Sequence, residues 1–123
     1  MKKMKKLTES EEIVMKAVWD CDFPPQLSDI HSRTVEVYDK DWKPQTVSTF
    51  LSKLVYKKYL KLNRKGKIYT YKTLVSMKDY KRQLYLEHIN FWDHDDVVEF
   101  LASMVQNGDL SQEELEQIKI KES

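Results

Sequence analysis

Over residues 60–72 the hydrophobic pattern adopts a strand period, and this one feature narrows most of what the chain can become. Leu60-Lys61-Leu62-Asn63 alternates apolar and polar, as does Ile68-Tyr69-Thr70-Tyr71-Lys72. Between them lies Arg64-Lys65-Gly66-Lys67, with the only glycine for forty residues on either side. Two alternating runs around a glycine-bearing turn predict a β-hairpin. The chain has only 2 Gly and 3 Pro in 123 residues, so long loops are not expected and helices should dominate the rest.

The flanking segments carry helix signals. Thr8-Glu9-Ser10-Glu11 reads as a capping box ahead of Ile13, Val14, Ala17 and Val18, with Trp19 on the same broad face. That helix should end near Asp20, and Phe23-Pro24-Pro25 breaks the chain. A second short helix is expected from about Gln26 or Leu27 to Val37, burying Leu27, Ile30 and Val35 or Thr34. Tyr38-Asp39-Lys40-Asp41 reads as a turn. Trp42-Lys43-Pro44 opens a third helix, since proline's missing N–H has no helical partner in the first turn. Its buried stripe is Val47, Phe50 or Leu51, Leu54 and Val55. Helix, helix, helix, hairpin over residues 1–73 is the order of a winged helix-turn-helix.

Residues 74–123 read as a separate helical unit. Ser76 to about Trp92 carries Met77, Tyr80, Leu84, Ile89 and Trp92 at helical intervals. Asp95 or Asp96 caps a helix with Val97, Val98, Leu101, Met104 and Val105, which Asn107-Gly108 ends. Ser111-Gln112-Glu113-Glu114 is a second capping box, opening a helix with Leu115 and Ile118. Such short amphipathic helices bury little alone. Met77, Leu84, Ile89, Val97, Leu101, Met104 and Leu115 are therefore expected to meet a second copy of the chain, with Phe91-Trp92 buried there too. The fold class expected is mainly α with a small antiparallel β wing: a winged helix-turn-helix over 1–73 and a helical dimerisation domain over 74–123.

Charge divides the same way. Lys40 to Thr73 holds ten Lys/Arg against Asp41 alone, whereas Asp93 to Ser123 holds nine acids against Lys119 and Lys121. The basic block coincides with the third helix and the hairpin, the elements a winged helix turns toward a polyanion. Gln45, Thr46, Ser48 and Thr49, at the start of the third helix, are small or polar and suit base edges, Gln45 through a bidentate amide to adenine. Lys43, Lys53, Lys57, Arg64, Lys65 and Lys67 are the expected phosphate contacts.

Other chemistry finds little support. Cys21 allows neither an intramolecular disulfide nor a cysteine metal cluster. One reduced thiol suits a cytoplasmic protein, and Asp20 and Asp22 disfavour its thiolate. His31, His88 and His94 with Asp93, Asp95 and Asp96 match no standard zinc spacing, so no metal or cofactor is expected. No nucleophile–base pair, glycine-rich phosphate loop or paired carboxylates suggest an enzyme. Trp19 and Trp42 fall at core spacing rather than as base-stacking platforms. The basic start is followed by no apolar run, and no stretch approaches the roughly 18 apolar residues of a membrane span, so neither a signal peptide nor membrane insertion is expected. Two function classes remain: a sequence-specific DNA-binding repressor, and an adaptor that uses the winged helix to grip another protein.

The run Trp42-Lys43-Pro44-Gln45-Thr46-Val47-Ser48-Thr49-Phe50-Leu51-Ser52-Lys53-Leu54, followed by Lys57-Lys58-Tyr59-Leu60, resembles the recognition-helix signature of the penicillinase-repressor family. Glu11 to Trp19 resembles that family's first helix, Arg64 to Tyr71 its wing, and Asp109 to Leu115 the start of its last helix. The resemblance implies a homodimeric repressor of pseudo-palindromic operators with TACA/TGTA-like half-sites. Base contacts from Gln45, Thr46, Ser48 and Thr49 are implied, although family members commonly carry Lys or Arg at the positions of Gln45 and Ser48. Relief of repression by a membrane sensor-protease is also implied, through cleavage in the dimerisation region. Alignment back from Asp109 places the bond at Ser103-Met104, where the beta-lactam repressors have Asn-Phe. The copper branch's paired Cys-x-Cys motifs have no counterpart in Lys119-Ile120-Lys121-Glu122-Ser123, so a copper sensor of that design is not expected.

Overall fold

The computed structural model describes residues 4–122. Its elements are α1 (Glu9–Trp19), α2 (Leu27–Glu36), α3 (Pro44–Tyr56), β1 (Leu60–Lys65), β2 (Ile68–Thr73), α4 (Met77–Asp93), α5 (Val97–Gln106) and α6 (Gln112–Glu122). Two compact units result, one ending at Tyr80 and the next beginning at Lys81. The first takes in the opening turn of α4, beyond the boundary after Thr73 read from the sequence. The physical reason is Tyr80: its ring lies 5.6 Å from that of Trp19 and 5.8 Å from that of Tyr59, and its hydroxyl bonds Glu12.

Helix α1 starts where its capping box dictates. Thr8 Oγ1 accepts from the Glu11 N–H at 3.2 Å, and Glu11 Oε1 accepts from the Thr8 N–H at 2.8 Å. The helix packs against α2, α3 and β2. Contact on several sides explains why Met15 is buried along with Val14, Ala17 and Val18, while Ile13 is only half-buried. Ile30 and Thr34 are the buried side chains of α2; Val35 points outward, and the Thr34 hydroxyl is satisfied by the His31 carbonyl at 2.7 Å. On α3 the stripe resolves to Val47, Leu51 and Leu54, with Phe50 half-buried against the Trp42 ring at 5.1 Å.

The exit from α3 directs the hairpin. Lys58 takes a left-handed φ of +69°. Its N–H donates to the Val55 carbonyl at 3.1 Å, and the Tyr59 N–H donates to the Leu54 carbonyl at 3.0 Å. This is a Schellman closure with lysine where glycine is usual. It turns Tyr59 and Leu60 into the core, both about fully buried. β1 and β2 pair antiparallel from Leu60↔Thr73 to Lys65↔Ile68, leaving Gly66 and Lys67 as the turn. Gly66 sits at φ +64°, the first-position conformation that suits a two-residue hairpin turn and that a Cβ would strain. The hairpin is tied back by the Tyr71 N–H, which donates to the Pro25 carbonyl at 3.0 Å.

In the second unit, Asp96 rather than Asp95 caps α5, accepting from the Glu99 N–H at 3.0 Å. Ser111 and Glu114 form the second reciprocal box, at 2.9 and 3.1 Å. Among its described residues only Ile89 is buried. Leu84, Tyr85, Leu86, Phe91, Trp92, Val97, Val98, Ile118 and Ile120 are all exposed.

Candidate nucleic-acid interface

The start of α3 is unlike the other helix starts. Glu9, Asp29, Asp79, Glu99 and Glu113 place carboxylates in the first turns of α1, α2, α4, α5 and α6, whereas α3 has none. Its N-terminal partial positive charge is thus left uncompensated. His31 Nε2 meets the Trp42 carbonyl at 2.7 Å, joining α2 to the turn that leads into α3. Trp42 is half-buried against the core, as is Trp19, whose Nε1–H donates to the Val75 carbonyl at 3.0 Å.

Of the four expected base-contacting residues, Gln45 and Thr49 are exposed, and Thr46 and Ser48 are half-buried beside the core stripe. The Thr49 hydroxyl donates to the Gln45 carbonyl at 3.1 Å, and that of Ser52 to the Ser48 carbonyl at 3.1 Å. With their protons engaged on the helix backbone, both hydroxyls turn lone pairs outward as acceptors. Ser52 and Tyr56 continue the stripe at helical spacing from Gln45 and Thr49, and both are exposed. Sequence reasoning did not single them out, although the i, i+4, i+7, i+11 spacing from Gln45 was readable.

Lys43, Lys53, Arg64, Lys65 and Lys67 are all exposed. Lys43 sits at the N-cap of α3, and Lys65 and Lys67 flank Gly66 at the hairpin tip. Arg64 is held in place: its Nε–H donates to the Gly66 carbonyl at 3.0 Å, and its guanidinium lies 5.4 Å from the centre of the Tyr69 ring. Lys61 and Lys72 are directly opposed across the hairpin, a like-charge pair that costs stability until an anion approaches. An open cleft of about 530 Å³ separates α2, the start of α3 and the hairpin, with Ser28, Ser32, Pro44, Lys67 and Tyr69 on its walls.

Lys57 stands apart from the other expected phosphate contacts. Its Nζ donates to Glu11 Oε1 at 2.6 Å and to the Lys6 carbonyl at 2.9 Å. Its charge is neutralised inside the fold, because the carboxylate it meets is buried.

The residues expected at a dimer contact are dispersed. Met77 lies in the N-terminal unit, and Ile89 is already buried. Leu84 and Val97 are exposed, while Leu101, Met104 and Leu115 are half-buried. The Ser103-Met104 bond lies inside α5, with the Ser103 hydroxyl bonded to the Phe100 carbonyl at 2.8 Å.

Burial raises the Cys21 thiol above its ordinary pKa, and Asp29, Asp20 and Asp22 add to the rise against the opposing charge of Arg33. Among the described residues no helix is long and apolar enough to cross a membrane.

Comparison with known proteins agrees with this geometry. The methicillin resistance regulatory protein MecI of Staphylococcus aureus is 30% identical over 80 residues, an alignment covering 65% of this chain and 65% of that protein's length. The penicillinase repressor of Bacillus licheniformis is 25% identical over 121 residues, covering 96% of this chain and 90% of the relative. Among solved structures, the Bacillus licheniformis BlaI monomeric form in complex with the blaP half-operator superposes with a TM-score of 0.54 at 25% identity, over 65% of this chain and 94% of that one. The DNA binding domain of the repressor BlaI gives 0.53. The penicillinase repressor family matches residues 7–121. With the winged-helix architecture and a match over nearly its whole length, this chain belongs to the penicillinase repressor family.

Proposed function

We propose that the protein is a transcriptional repressor that binds pseudo-palindromic operator DNA as a homodimer. The observation that carries this reading is the surface shared by α3 and the hairpin. An acid-free helix start presents Gln45 and Thr49 beside the exposed cations Lys43, Lys53, Arg64, Lys65 and Lys67. A helix of this kind enters the major groove with its N-terminal residues on base edges, while the cations fix register on phosphates. In this reading Gln45, Thr46, Ser48 and Thr49 read the half-site, with Thr46 and Ser48 reached only by close approach. Lys57 drops out of the phosphate set because Glu11 holds it.

The dimer rests on the second unit, whose large exposed apolar side chains need cover that its own short helices do not supply. Two half-sites on one duplex and two domains on one dimer multiply affinity through effective concentration. Cutting at Ser103-Met104 divides α5 and removes that gain, which makes proteolysis by a membrane sensor-protease a suitable route to release.

The test is footprinting and titration of the full chain on the promoter region beside its own gene, over a range of salt. Protection of an inverted repeat, with affinity falling steeply as salt rises, is expected. Salt-insensitive binding to a protein partner, with no protected repeat, would favour the adaptor reading instead.

A further inference from the structure

The segment before α1 is held against the far end of α3 in a way that neither the repressor reading nor the hairpin requires. The Tyr59 hydroxyl donates to the Lys5 carbonyl, Lys57 Nζ donates to the Lys6 carbonyl at 2.9 Å, and Leu7 is buried. Three successive residues are thus tied down, yet the side chains of Lys5 and Lys6 remain exposed. Lys5 Nζ lies 4.9 Å from the centre of the Tyr56 ring. Tyr56 is 75% exposed and continues the outward stripe of Gln45, Thr49 and Ser52. Its hydroxyl is not bonded to any described residue.

We propose that Lys5, Lys6 and Tyr56 form a second phosphate-binding site on duplex DNA, contacting the backbone beyond the bases read by the start of α3. This rests on the reading of α3 as the DNA-facing helix. Charge complementarity selects the occupant: two exposed ammonium groups and an exposed phenol donor, with no carboxylate bonded to any of them among the described residues, suit a chain of phosphates. An arm pinned by its carbonyls has already lost most of its backbone freedom, so its lysines meet phosphate at a lower entropic cost than a free tail would. Glu11 and Lys57 act as positioning residues here, because Lys57 links the buried carboxylate to the arm. The competing account is that the lysines only stabilise the carboxyl-terminal end of α3 through its dipole.

The test compares the full chain with Lys5→Gln, Lys6→Gln, the double variant and Tyr56→Phe. The probes are a duplex built on two inverted TACA/TGTA half-sites and the same duplex with the half-sites scrambled. Phosphate contacts carry no sequence information, so the double variant should weaken binding several-fold on both probes. The dependence of log affinity on log salt should become shallower by about one unit per lysine. Protection at the outer flanks of each half-site should shrink, with thermal stability unchanged. Tyr56→Phe should weaken binding without moving the salt slope. An unchanged slope and footprint in the double variant, or a lowered melting temperature with unchanged DNA binding, would overturn the proposal and leave the repressor reading standing. Equal affinity of the unaltered chain for both probes would overturn the specific-repressor reading and spare this one. No binding to either would overturn both.

Discussion

Lys57 Nζ and Glu11 Oε1 lie 2.6 Å apart and join the end of α3 to the start of α1 across 46 residues of sequence. Glu11 also caps its own helix through Thr8, so one buried carboxylate serves a local and a long-range purpose. Burial pushes the Glu11 pKa up, but the Lys57 hydrogen bond and charge and the Thr8 contacts outweigh it and leave the carboxyl below its ordinary value.

A carboxyl lowered in the folded state adds stability that is complete above its unfolded pKa and disappears as pH falls through the folded one. Unfolding by urea should therefore show stability decreasing below the ordinary glutamate range. Glu11→Gln should flatten that decline and lower neutral-pH stability by on the order of 1–3 kcal/mol, since Lys57 loses its charged partner. Identical acid profiles for the two proteins would contradict the assignment.

Base and phosphate contacts should separate under mutation. Gln45→Ala should reduce discrimination between operator and scrambled duplex by about 1–3 kcal/mol. Lys65→Ala should weaken both duplexes alike and make the salt slope shallower by roughly one unit. Titration of both variants against both duplexes reads the difference directly, and uniform effects of both changes would remove the proposed division of labour.

Val98 is 77% exposed in the single chain. Aspartate there costs a lone monomer little but would place an unpaired charge in the proposed apolar dimer contact. Val98→Asp should shift sedimentation toward monomer with helicity retained. Ile89→Asp, at a buried position, should instead unfold the second unit. A fully dimeric Val98→Asp protein would put the dimer contact elsewhere.

Ending the chain after Ser103 removes Met104, Val105 and all of α6. The shortened protein should sediment as a monomer and bind the paired half-sites with far lower affinity than the full chain. Retained dimerisation and full operator affinity would rule out cleavage at Ser103-Met104 as the release step.

Burial and the surrounding acids raise the Cys21 pKa. At pH 7 its alkylation by iodoacetamide should run slower than that of free cysteine, with the rate-against-pH curve displaced to higher pH. A faster reaction, or one already on its plateau at neutral pH, would show a thiolate that this environment does not favour.

Several features with partners a few residues away were legible in the amino-acid order. The two capping boxes, Pro44 at the first turn of α3 and the turn at Gly66 depend on local hydrogen-bond needs and backbone freedom, and each lies where the residue types require. Periodicity also marked α3's buried stripe, but it left Phe50 against Leu51 and Val35 against Thr34 undecided. Those choices belong to tertiary structure, because a helix's rotation about its axis is set by the helices packed on it. The same holds for Lys57, a phosphate ligand by composition until α1 brings the buried Glu11 to it. It holds too for Tyr56, whose spacing along α3 was readable but whose exposure beside Lys5 was not. Local chemistry determined which elements form; packing over tens of residues decided which side chains of α3 and the hairpin remained exposed.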